Sequence, residues 1–381
     1  MPGSRRFRIG FAVGRIAVSL ALAAAAIPAV DARLAPPHTA WAAAEYVVNL
    51  TTDGTDGVCD SDCTLREAIE EANANAGADT ITFSADVTAP IVLTSALPTI
   101  SEELTIDGSG QSVAVDGDHL YIVFDASAPV TLTALTVQHG KSPTDGGGAY
   151  FESTAVISAV IFISNTAADG GGGGAYFQDT ATVSGASFIN NRAGFDGGGA
   201  RFDGAANVTD TTFFSNTAVY RGGGAIFNGT AVVTGRSFIS NTPPTEGGGA
   251  FFVDLATLTD TTFLSNRADS DGGGAFFSAP ATVTGSSFTD NTTASGAGGG
   301  ALFACETTVI DTTFTGNDAS SDAGGGAFFE CIARLSGATF SGNVAGDGGG
   351  AFFDGPTSVT GTTFISNTAA SPPHTVSAEI M

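Results

Sequence analysis

The sequence predicts an all-β fold, a right-handed, single-stranded parallel β-helix with a short N-terminal capping helix, and three observations lead to it. Nine blocks of three glycines and an alanine recur along the chain, each followed by a variable residue and a phenylalanine. A phenylalanine three residues before an asparagine also recurs nine times. Both landmarks share a spacing of about 25 residues, and a fixed period of that length indicates a repeat architecture.

Residue types within each unit favour a β-helix over a leucine-rich repeat. Thr, Val and Phe alternate with period two between Gly or Asp residues, as in 181–183 and 256–258, and no helical period is present. Three short strands per unit therefore predict one coil of a solenoid like that of pectate lyases. The nine repeat alanines are Ala149, Ala175, Ala200, Ala225, Ala250, Ala275, Ala301, Ala327 and Ala351.

Two columns of phenylalanine are expected to fill the core, because equivalent residues of successive coils stack about 4.8 Å apart. The asparagines are expected to form a ladder of side-chain amides, and the glycine block a tight corner with positive φ. The first column, two residues after each alanine, is Phe151, Phe177, Phe202, Phe227, Phe252, Phe277, Phe303, Phe329 and Phe353. The second is Phe162, Phe188, Phe213, Phe238, Phe263, Phe288, Phe314, Phe340 and Phe364.

The residue directly after each repeat alanine is expected to face solvent. Neighbouring residues of a strand point to opposite sides, and burial of Arg201 at this position would be costly. The sequence therefore predicts an exposed column of large side chains that acts as a contact stripe, while a covering loop or stacking on the sheet surface would explain the same pattern. The stripe residues are Tyr150, Tyr176, Ile226, Phe251, Phe276, Leu302, Phe328 and Phe352.

The region before the nine repeats of 141–370 lacks the glycine block. Residues 45–140 still alternate as strands, so they are expected to form an N-terminal cap and about two irregular coils. Within the cap, Thr64 and Glu67 predict a capping box at the start of a helix. The apolar face of that helix is expected to cover the open first coil. Its residues are Leu65, Ala68, Ile69 and Ala72.

The two ends of the chain lie outside the predicted solenoid. Residues 1–44 combine a basic start, an apolar alanine-rich segment and small residues before position 45, which indicates a secretory signal peptide. Sec export is expected rather than twin-arginine export, and cleavage after Ala32 is the alternative. Residues 371–381 are expected to be a C-terminal tail, and no other stretch is apolar enough to span a membrane as a helix.

The charge balance argues against two classes of partner. The chain carries 13 basic and 38 acidic residues, a net charge of −25. Nucleic acids and anionic lipid surfaces are bound by clustered Lys and Arg, so neither is an expected partner. A charge of this size keeps the protein soluble and makes its copies repel one another.

Two motifs resemble known bacterial surface proteins. The segment 63–68, CTLREA, resembles the Cys-Ser-Leu-Arg-Glu-Ala motif of an N-terminal module, and the nine units resemble the GGA-[I/L/V] and FxxN repeats of chlamydial polymorphic outer membrane proteins. The resemblance implies a cell-surface or secreted β-helix, often an adhesin, that meets a host or neighbouring cell, a glycan or a protein. Full-length members end in a membrane barrel, and the residues after Asn367 are too few for one, so outer-membrane attachment is expected through a partner.

No catalytic or metal-binding constellation is predicted. His139 and Lys141 form the one dense basic spot of the kind that a polysaccharide lyase would need. The carboxylates recur as repeat positions rather than as the singular pair of a glycosidase, and Asp210, Asp260 and Asp311 are expected to replace turn glycines. Acidic residues before the glycine blocks offer oxygen ligands for Ca²⁺, but no calcium-binding nonapeptide accompanies them. No cofactor is therefore expected.

Four cysteines predict two disulfides in an exported protein. Cys305 and Cys331 lie one full coil apart, so their Cα atoms are expected about 4.8 Å from each other, within the range of a disulfide. Cys59 and Cys63 are expected to close the loop before the helix. Free thiols are the alternative, because in-register parallel neighbours pair awkwardly.

Two functions therefore stay open. The first is an exported, non-enzymatic surface or secreted protein that works by adhesion. The second is a polysaccharide-binding or polysaccharide-degrading β-helix, which should show unique Asp, Arg or Lys residues on one face of one or two coils.

Overall fold

The computed structural model describes residues 43–243 and 245–370, so the predicted tail 371–381 and nearly all of the predicted signal peptide 1–44 lie outside the described residues. Strand pairing is parallel from the first coil to the last. The chain thus coils as a parallel β-solenoid, which confirms the predicted fold class. The right-handed sense of the coil stays a prediction.

Three long sheets run along the described solenoid. The GGA sheet, with 10 strands, begins each repeat directly after the glycine block. The central sheet, with 13 strands, follows it along the chain, and the FxxN sheet, with 12 strands, carries the phenylalanine before each asparagine. Two small sheets of four and five strands follow the asparagines.

The strand bounds follow the repeat. The GGA sheet contains Phe124–Ala126, Ala149–Phe151, Ala175–Phe177, Ala200–Phe202, Ala225–Phe227, Ala250–Phe252, Ala275–Phe277, Ala301–Phe303, Ala327–Phe329 and Ala351–Phe353. The central sheet contains Glu45–Val48, Asp79–Phe83, Leu104–Asp107, Val130–Thr133, Ala155–Ser158, Ala181–Ser184, Ala206–Thr209, Ala231–Thr234, Ala256–Thr259, Ala281–Thr284, Thr307–Ile310, Ala333–Ser336 and Thr357–Thr360. The FxxN sheet contains Ile91–Val92, Val113–Asp116, Leu135–Gln138, Ile161–Ile163, Ser187–Ile189, Thr212–Phe214, Ser237–Ile239, Thr262–Leu264, Ser287–Thr289, Thr313–Thr315, Thr339–Ser341 and Thr363–Ile365. The small sheets contain Lys141–Ser142, Thr166–Ala167, Arg192–Ala193 and Thr217–Ala218, then Arg267–Ala268, Thr292–Thr293, Asp318–Ala323, Val344–Asp347 and Thr368–Ala369.

The two predicted phenylalanine columns form the core. Ring centroids stack 4.8 Å apart between Phe202 and Phe227 and 4.7 Å apart between Phe263 and Phe288, with nearly parallel planes. The rings are buried in every repeat before the last coil. Each buried ring contributes roughly 1.5–3 kcal/mol of hydrophobic stabilisation, so the two stacks contribute substantially to the stability of the fold.

The predicted asparagine ladder is present and buried. The Asn191 Nδ2 atom donates to the Asn216 Oδ1 atom at 3.0 Å, and the backbone N–H of Asn191 donates to the same oxygen at 3.0 Å. Asn191 Nδ2 also donates to the Phe162 carbonyl oxygen of the preceding coil at 2.9 Å. The same pattern runs from Asn165 to Asn367. Each buried amide is thus satisfied while it ties three coils together.

The glycine block is required by sterics. The first glycine has positive φ, as at Gly146 with +67°, a conformation that other residues adopt at a cost. The third glycine of a block has no room for a side chain. At Gly199, for example, a Cβ would lie 2.9 Å from the Phe213 ring and 3.1 Å from the side-chain carbonyl carbon of Asn216. The predicted turn aspartates also have positive φ: Asp210 (48°), Asp260 (51°) and Asp311 (47°).

The N-terminal helix, Leu65–Ala74, closes the first coil as predicted. Its capping box is formed by Thr64, whose side chain accepts from the Glu67 N–H, and by Glu67, whose carboxylate accepts from the Thr64 N–H at 2.9 Å. The predicted disulfide between Cys59 and Cys63 is present. The apolar face of the helix is buried in the solenoid core. Within the described residues, no helix has the length and apolarity that a membrane crossing requires.

A buried ion pair, which the sequence analysis missed, fastens this helix to the coils. The Arg66 Nη2 atom donates to Asp53 Oδ2 at 2.7 Å, and the guanidinium also donates to the carbonyl oxygens of Ser95 and Ala96 at 2.9 and 2.8 Å. The Asp53 carboxylate accepts from the Thr94 N–H at 2.7 Å. Because every partner is hydrogen-bonded, both charges are tolerated in the interior.

Two structural predictions are wrong. Residues 45–140 supply four strands to the central sheet and three to the FxxN sheet, rather than about two coils, because irregular turns hide their period. Cys305 and Cys331 are free thiols, although the strands on both sides of them pair in register. In-register parallel neighbours project side chains in the same direction, and the Cys331 thiol donates instead to the Ala304 carbonyl oxygen at 3.3 Å.

Candidate contact surfaces

The predicted contact stripe lies on the outer side of the GGA sheet, but it is not exposed. The repeat alanines and second phenylalanines belong to the core cluster, as predicted, and the stripe residues do not. Tyr176, Ile226, Phe251 and Leu302 are nevertheless buried. The other stripe residues, Tyr150, Phe276, Phe328 and Phe352, are half-buried. The predicted direction of these side chains is therefore right, and their predicted exposure is wrong.

The turn at the glycine block explains why the stripe residues are buried or half-buried. A Cβ on Gly146 would lie 2.9 Å from the Tyr150 Cβ, and a Cβ on Gly197 would lie 3.0 Å from the Ile226 Cγ2. The positive-φ glycine thus folds the preceding loop over the outer residue of the strand. The side chains also cover one another along the column, with ring centroids 5.0 Å apart for the stacked Tyr150–Tyr176 pair.

A polar cluster, which the sequence analysis missed, interrupts this column. Asp203 accepts hydrogen bonds from the Tyr176 hydroxyl, from the Asn228 side-chain amide and from both Arg201 Nε (2.9 Å) and Nη2 (3.2 Å). The Arg201 guanidinium also lies over the Tyr176 ring, 5.2 Å from its centroid. The available signal was an arginine in an otherwise apolar column with an aspartate two residues later, which places both on one side of the chain.

The electrostatics of the cluster stabilise an ionised carboxylate. Burial opposes ionisation of Asp203, but hydrogen bonds from Arg201, Tyr176 and Asn228 outweigh it, so the pKa of Asp203 is lowered. Burial and the Asp203 carboxylate raise the pKa of the Tyr176 hydroxyl. The cluster therefore holds a fixed negative charge and a neutral phenol, with its polar groups paired to one another.

The acidic residues before the glycine blocks act as hydrogen-bond acceptors for the next coil. Asp145 accepts from the Gly171 N–H and Asp271 from the Ala297 N–H, both at 2.7 Å. Asp196 binds the Arg221 guanidinium at 2.8 Å, and that guanidinium lies over the Phe251 ring. Among the described residues, no group of three or more His, Cys, Asp or Glu side chains is arranged to hold a metal ion.

The basic spot at His139 and Lys141 contains an internal hydrogen-bonded pair. His139 Nδ1 lies 2.9 Å from Asp116 Oδ2, the Gln138 side-chain amide donates to the same oxygen at 2.7 Å, and the His139 ring contacts His119. Burial opposes ionisation of Asp116, but hydrogen bonds, above all from His139, lower its pKa. Lys141 is exposed. The structure therefore gives His139 a structural pairing with Asp116.

An apolar ladder lies on the outer side of the FxxN sheet, where no stripe was predicted. Its five residues follow the core phenylalanine of five successive repeats and are paired in register: Ile163, Ile189, Phe214, Ile239 and Leu264. None of them is buried, and Phe214 is 41% exposed. In the next three repeats the column is polar, with Thr289, Thr315 and Ser341, and the last repeat carries Ile365.

Two further exposed aromatic residues lie in the adjoining loops of the same coils. Phe195 and Tyr220 are 40% and 47% exposed, and their ring centroids are 4.9 Å apart. Equivalent positions of other repeats carry small polar residues such as Thr245 and Ser270. Phe195, Phe214 and Tyr220 are called the aromatic patch below. Of the three, Phe195 and Tyr220 are in ring contact and Phe214 lies on the neighbouring sheet face of the same coils, and exposed aromatic residues are enriched at contact surfaces.

Comparison with known proteins supports the repeat assignment. The Chlamydia polymorphic membrane protein (Chlamydia_PMP) repeat matches residues 210–229. The matched span includes Phe214, Tyr220 and the following glycine block, so it covers two of the three aromatic-patch residues. No curated protein matches the chain. The similarity of residues 63–68 to the Cys-Ser-Leu-Arg-Glu-Ala module stays a prediction.

Proposed function

We propose that this protein is exported, is displayed at the cell surface or secreted, and works by adhesion to another surface rather than by catalysis. The repeat that it shares with polymorphic membrane proteins supports a place at the outer membrane or cell surface. The uninterrupted parallel sheets and the asparagine ladder make a rod, which can hold a binding face away from its point of attachment.

The observation that carries the proposal is the aromatic patch. Three large aromatic side chains, each at least 40% exposed, lie on consecutive coils of a chain whose net charge is −25. Aromatic residues are enriched at protein interfaces and supply much of the binding energy there. The partner is a component of a host or neighbouring cell, either a protein or a glycan.

The test uses residues 45–381 and a triple variant, Phe195→Ser, Phe214→Thr and Tyr220→Ser. These replacements match small polar residues that equivalent positions of other repeats already carry. A control, Val156→Thr, Val232→Thr and Leu255→Ser, removes exposed apolar side chains elsewhere on the same rod. Binding to cultured cells is expected to fall at least tenfold for the patch variant and to stay unchanged for the control, with melting temperatures within the error of the unaltered protein. Equal binding by all three proteins would refute the role of the patch.

A polysaccharide-degrading function is the second candidate, since Arg201, Asp203 and Tyr176 form the kind of singular polar cluster that such a site would need. Their mutual pairing supports a structural role instead. Incubation with pectin, alginate or chondroitin, with and without Ca²⁺, is expected to release no product. Product release that Asp203→Asn or Lys141→Ala abolishes would establish the enzyme.

Export is the part of the proposal that rests on residues 1–44. Expression with this segment is expected to deliver protein outside the cytoplasm with a mature N-terminus at Glu45, or after Ala32 if the earlier cleavage site is used. N-terminal sequencing distinguishes these two results. Intact Met1 on cytoplasmic protein would contradict export.

A further inference from the structure

The outer face of the central sheet has no charged side chain over eight consecutive strands, from Val130–Thr133 to Thr307–Ile310. Asp107 precedes this stretch and Arg334 follows it. In a chain with 51 charged residues, 13 basic and 38 acidic, an uncharged sheet face of this length is unusual. We call it the hydroxyl face.

Two columns of outward side chains cover the hydroxyl face, and most of them are Thr or Ser. The first column contains Thr131, Val156, Thr182, Asn207, Val232, Thr257, Thr282 and Thr308. The second contains Thr133, Ser158, Ser184, Thr209, Thr234, Thr259, Thr284 and Ile310. None of these side chains is buried.

The two columns form a rectangular array. Equivalent residues of neighbouring strands are about 4.8 Å apart along the rod, and the two columns, two residues apart on each strand, are about 6.6 Å apart across it. Seven inter-strand steps give the array a length of about 34 Å. In-register parallel pairing fixes the strands of the array relative to one another, and the β-branched threonines have restricted χ1 angles. The array is therefore rigid as well as periodic.

The hydroxyl groups of this array are available to a ligand. Within the described residues, no hydrogen bond from the side-chain hydroxyls of Thr209, Thr234, Thr259 or Thr284 to another protein group is present, and none of these side chains is buried. Each threonine thus offers one hydroxyl and one methyl group at a fixed position. A rigid surface of this kind orders the water molecules that lie on it.

We propose that the hydroxyl face binds ice. The prism surface of hexagonal ice presents water oxygens in a rectangular array whose two repeats are close to those of the face, so ordered water on the threonines can continue into the crystal. The absence of charge suits a neutral lattice. A glycan fits less well, because the two columns of this face contain no aromatic ring on which a sugar could stack.

The test uses the chain without residues 1–44 and ice itself as the probe. The variant Thr209→Tyr and Thr259→Tyr places two bulky rings in the array. Its matched control, Thr212→Tyr and Thr262→Tyr, makes the same replacements three residues later on the same coils, at half-buried outer positions of the FxxN sheet. Tyrosine is well tolerated on sheet surfaces, and circular dichroism checks that both variants fold.

The measurements are the gap between melting and freezing temperatures of a single ice crystal and the fraction of protein that partitions into slowly grown ice. The unaltered protein and the control are expected to open a gap, to facet the crystal and to enter the ice, whereas the hydroxyl-face variant loses all three effects. An unaltered protein without a gap or ice partitioning overturns the proposal, as does equal loss in both variants. Retention on crystalline cellulose or chitin without any effect on ice would assign the face to a neutral polysaccharide instead. Cell binding through the aromatic patch is independent of each of these outcomes.

Discussion

The outer faces of the GGA and FxxN sheets both carry columns of large apolar side chains, yet one column is closed and the other is open. On the GGA sheet, Phe251 is 4% exposed, because the loop before the strand turns back at a positive-φ glycine and Arg221 lies over its ring. On the FxxN sheet, Phe214 is 41% exposed. The residue after it, Ser215, has a φ of 54° and directs the chain inward to the buried Asn216, so the turn leads away from the Phe214 ring.

The difference shows that side-chain direction and exposure are separate properties in a solenoid. Alternation along a strand decides which side of the sheet a residue occupies. The path of the adjacent turn then decides whether that side is covered. A column of aromatic residues is a candidate contact surface where the next turn leads the chain inward, and a packing layer where the preceding turn crosses it.

The largest expected effect separates the two columns by stability. Phe251→Ala is expected to lower the free energy of unfolding by about 3–5 kcal/mol, the usual cost of truncating a buried phenylalanine. Phe214→Ala is expected to lower it by less than about 1 kcal/mol, as for other surface changes. Urea denaturation followed by circular dichroism measures both variants. Similar losses for the two would show that the faces are covered alike.

The polar cluster of the GGA face is expected to give the next largest effect. Asp203→Ala leaves Arg201 and the Tyr176 hydroxyl without their acceptor and is expected to cost about 1–3 kcal/mol. Asp179→Ala, at an exposed carboxylate one coil earlier that bonds only its neighbour Thr180, is the control and should change little. A cost no greater than that of the control would show that the cluster does not support the column.

The pH dependence of this variant follows from the lowered pKa of Asp203. A carboxyl group whose pKa is lower in the folded state contributes stability above its unfolded pKa, and that contribution is lost as pH falls through the folded value. The difference in unfolding free energy between the unaltered protein and Asp203→Asn should therefore be largest near neutral pH and shrink in acid. A difference that grows in acid would contradict the assignment of the charge.

The smallest expected effect concerns Glu246, beside the covered column. Burial and the neighbouring Asp271 carboxylate raise its pKa, so its ionised form is disfavoured in the fold. A group of this kind contributes stability below its unfolded pKa and loses it as pH rises through the folded value. Glu246→Gln should therefore raise the melting temperature at neutral pH and not in acid. The exposed Glu152→Gln is the control, and an equal rise there would trace the effect to net charge.

Much of the solenoid could be predicted because each structural position recurs in every repeat, so its residue preference is visible several times in one sequence. The phenylalanine columns, the asparagine ladder and the turn at Asp210 each follow from a position that recurs nine times. The polar cluster and the Arg66–Asp53 pair could not be predicted in this way, since each occurs once and its partners are distant in sequence. Exposure of the stripe was mispredicted because the course of the loop before Gly146 depends on backbone torsion rather than on side-chain pattern.

The exposure of the apolar ladder could not be predicted from the repeat either, because the sequence pattern does not show which outward column is covered. Ile189 and Phe214 are as bulky as the covered residues of the other column, but each is followed by a turn with positive φ, at Asn190 and Ser215, that leads the chain inward. The Cys305–Cys331 pair has the spacing of a disulfide between coils, but parallel projection of the two side chains keeps the thiols apart. In the first case the direction of the turn decides the outcome, and in the second the direction in which the two side chains project.

Hydroxyl-radical footprinting of the unaltered protein tests the contrast between the closed column and the open surface most directly, because Phe214 on the FxxN face and Tyr220 in the adjoining loop each have a partner of the same residue type in the closed column. Mass spectrometry would compare the oxidation rates of Tyr220 with Tyr176 and of Phe214 with Phe251. We expect the aromatic-patch residue to be oxidised at least several-fold faster in each pair, since Tyr176 and Phe251 are buried. Equal rates, or faster oxidation of Tyr176 and Phe251, would contradict the closed GGA face and the open FxxN face.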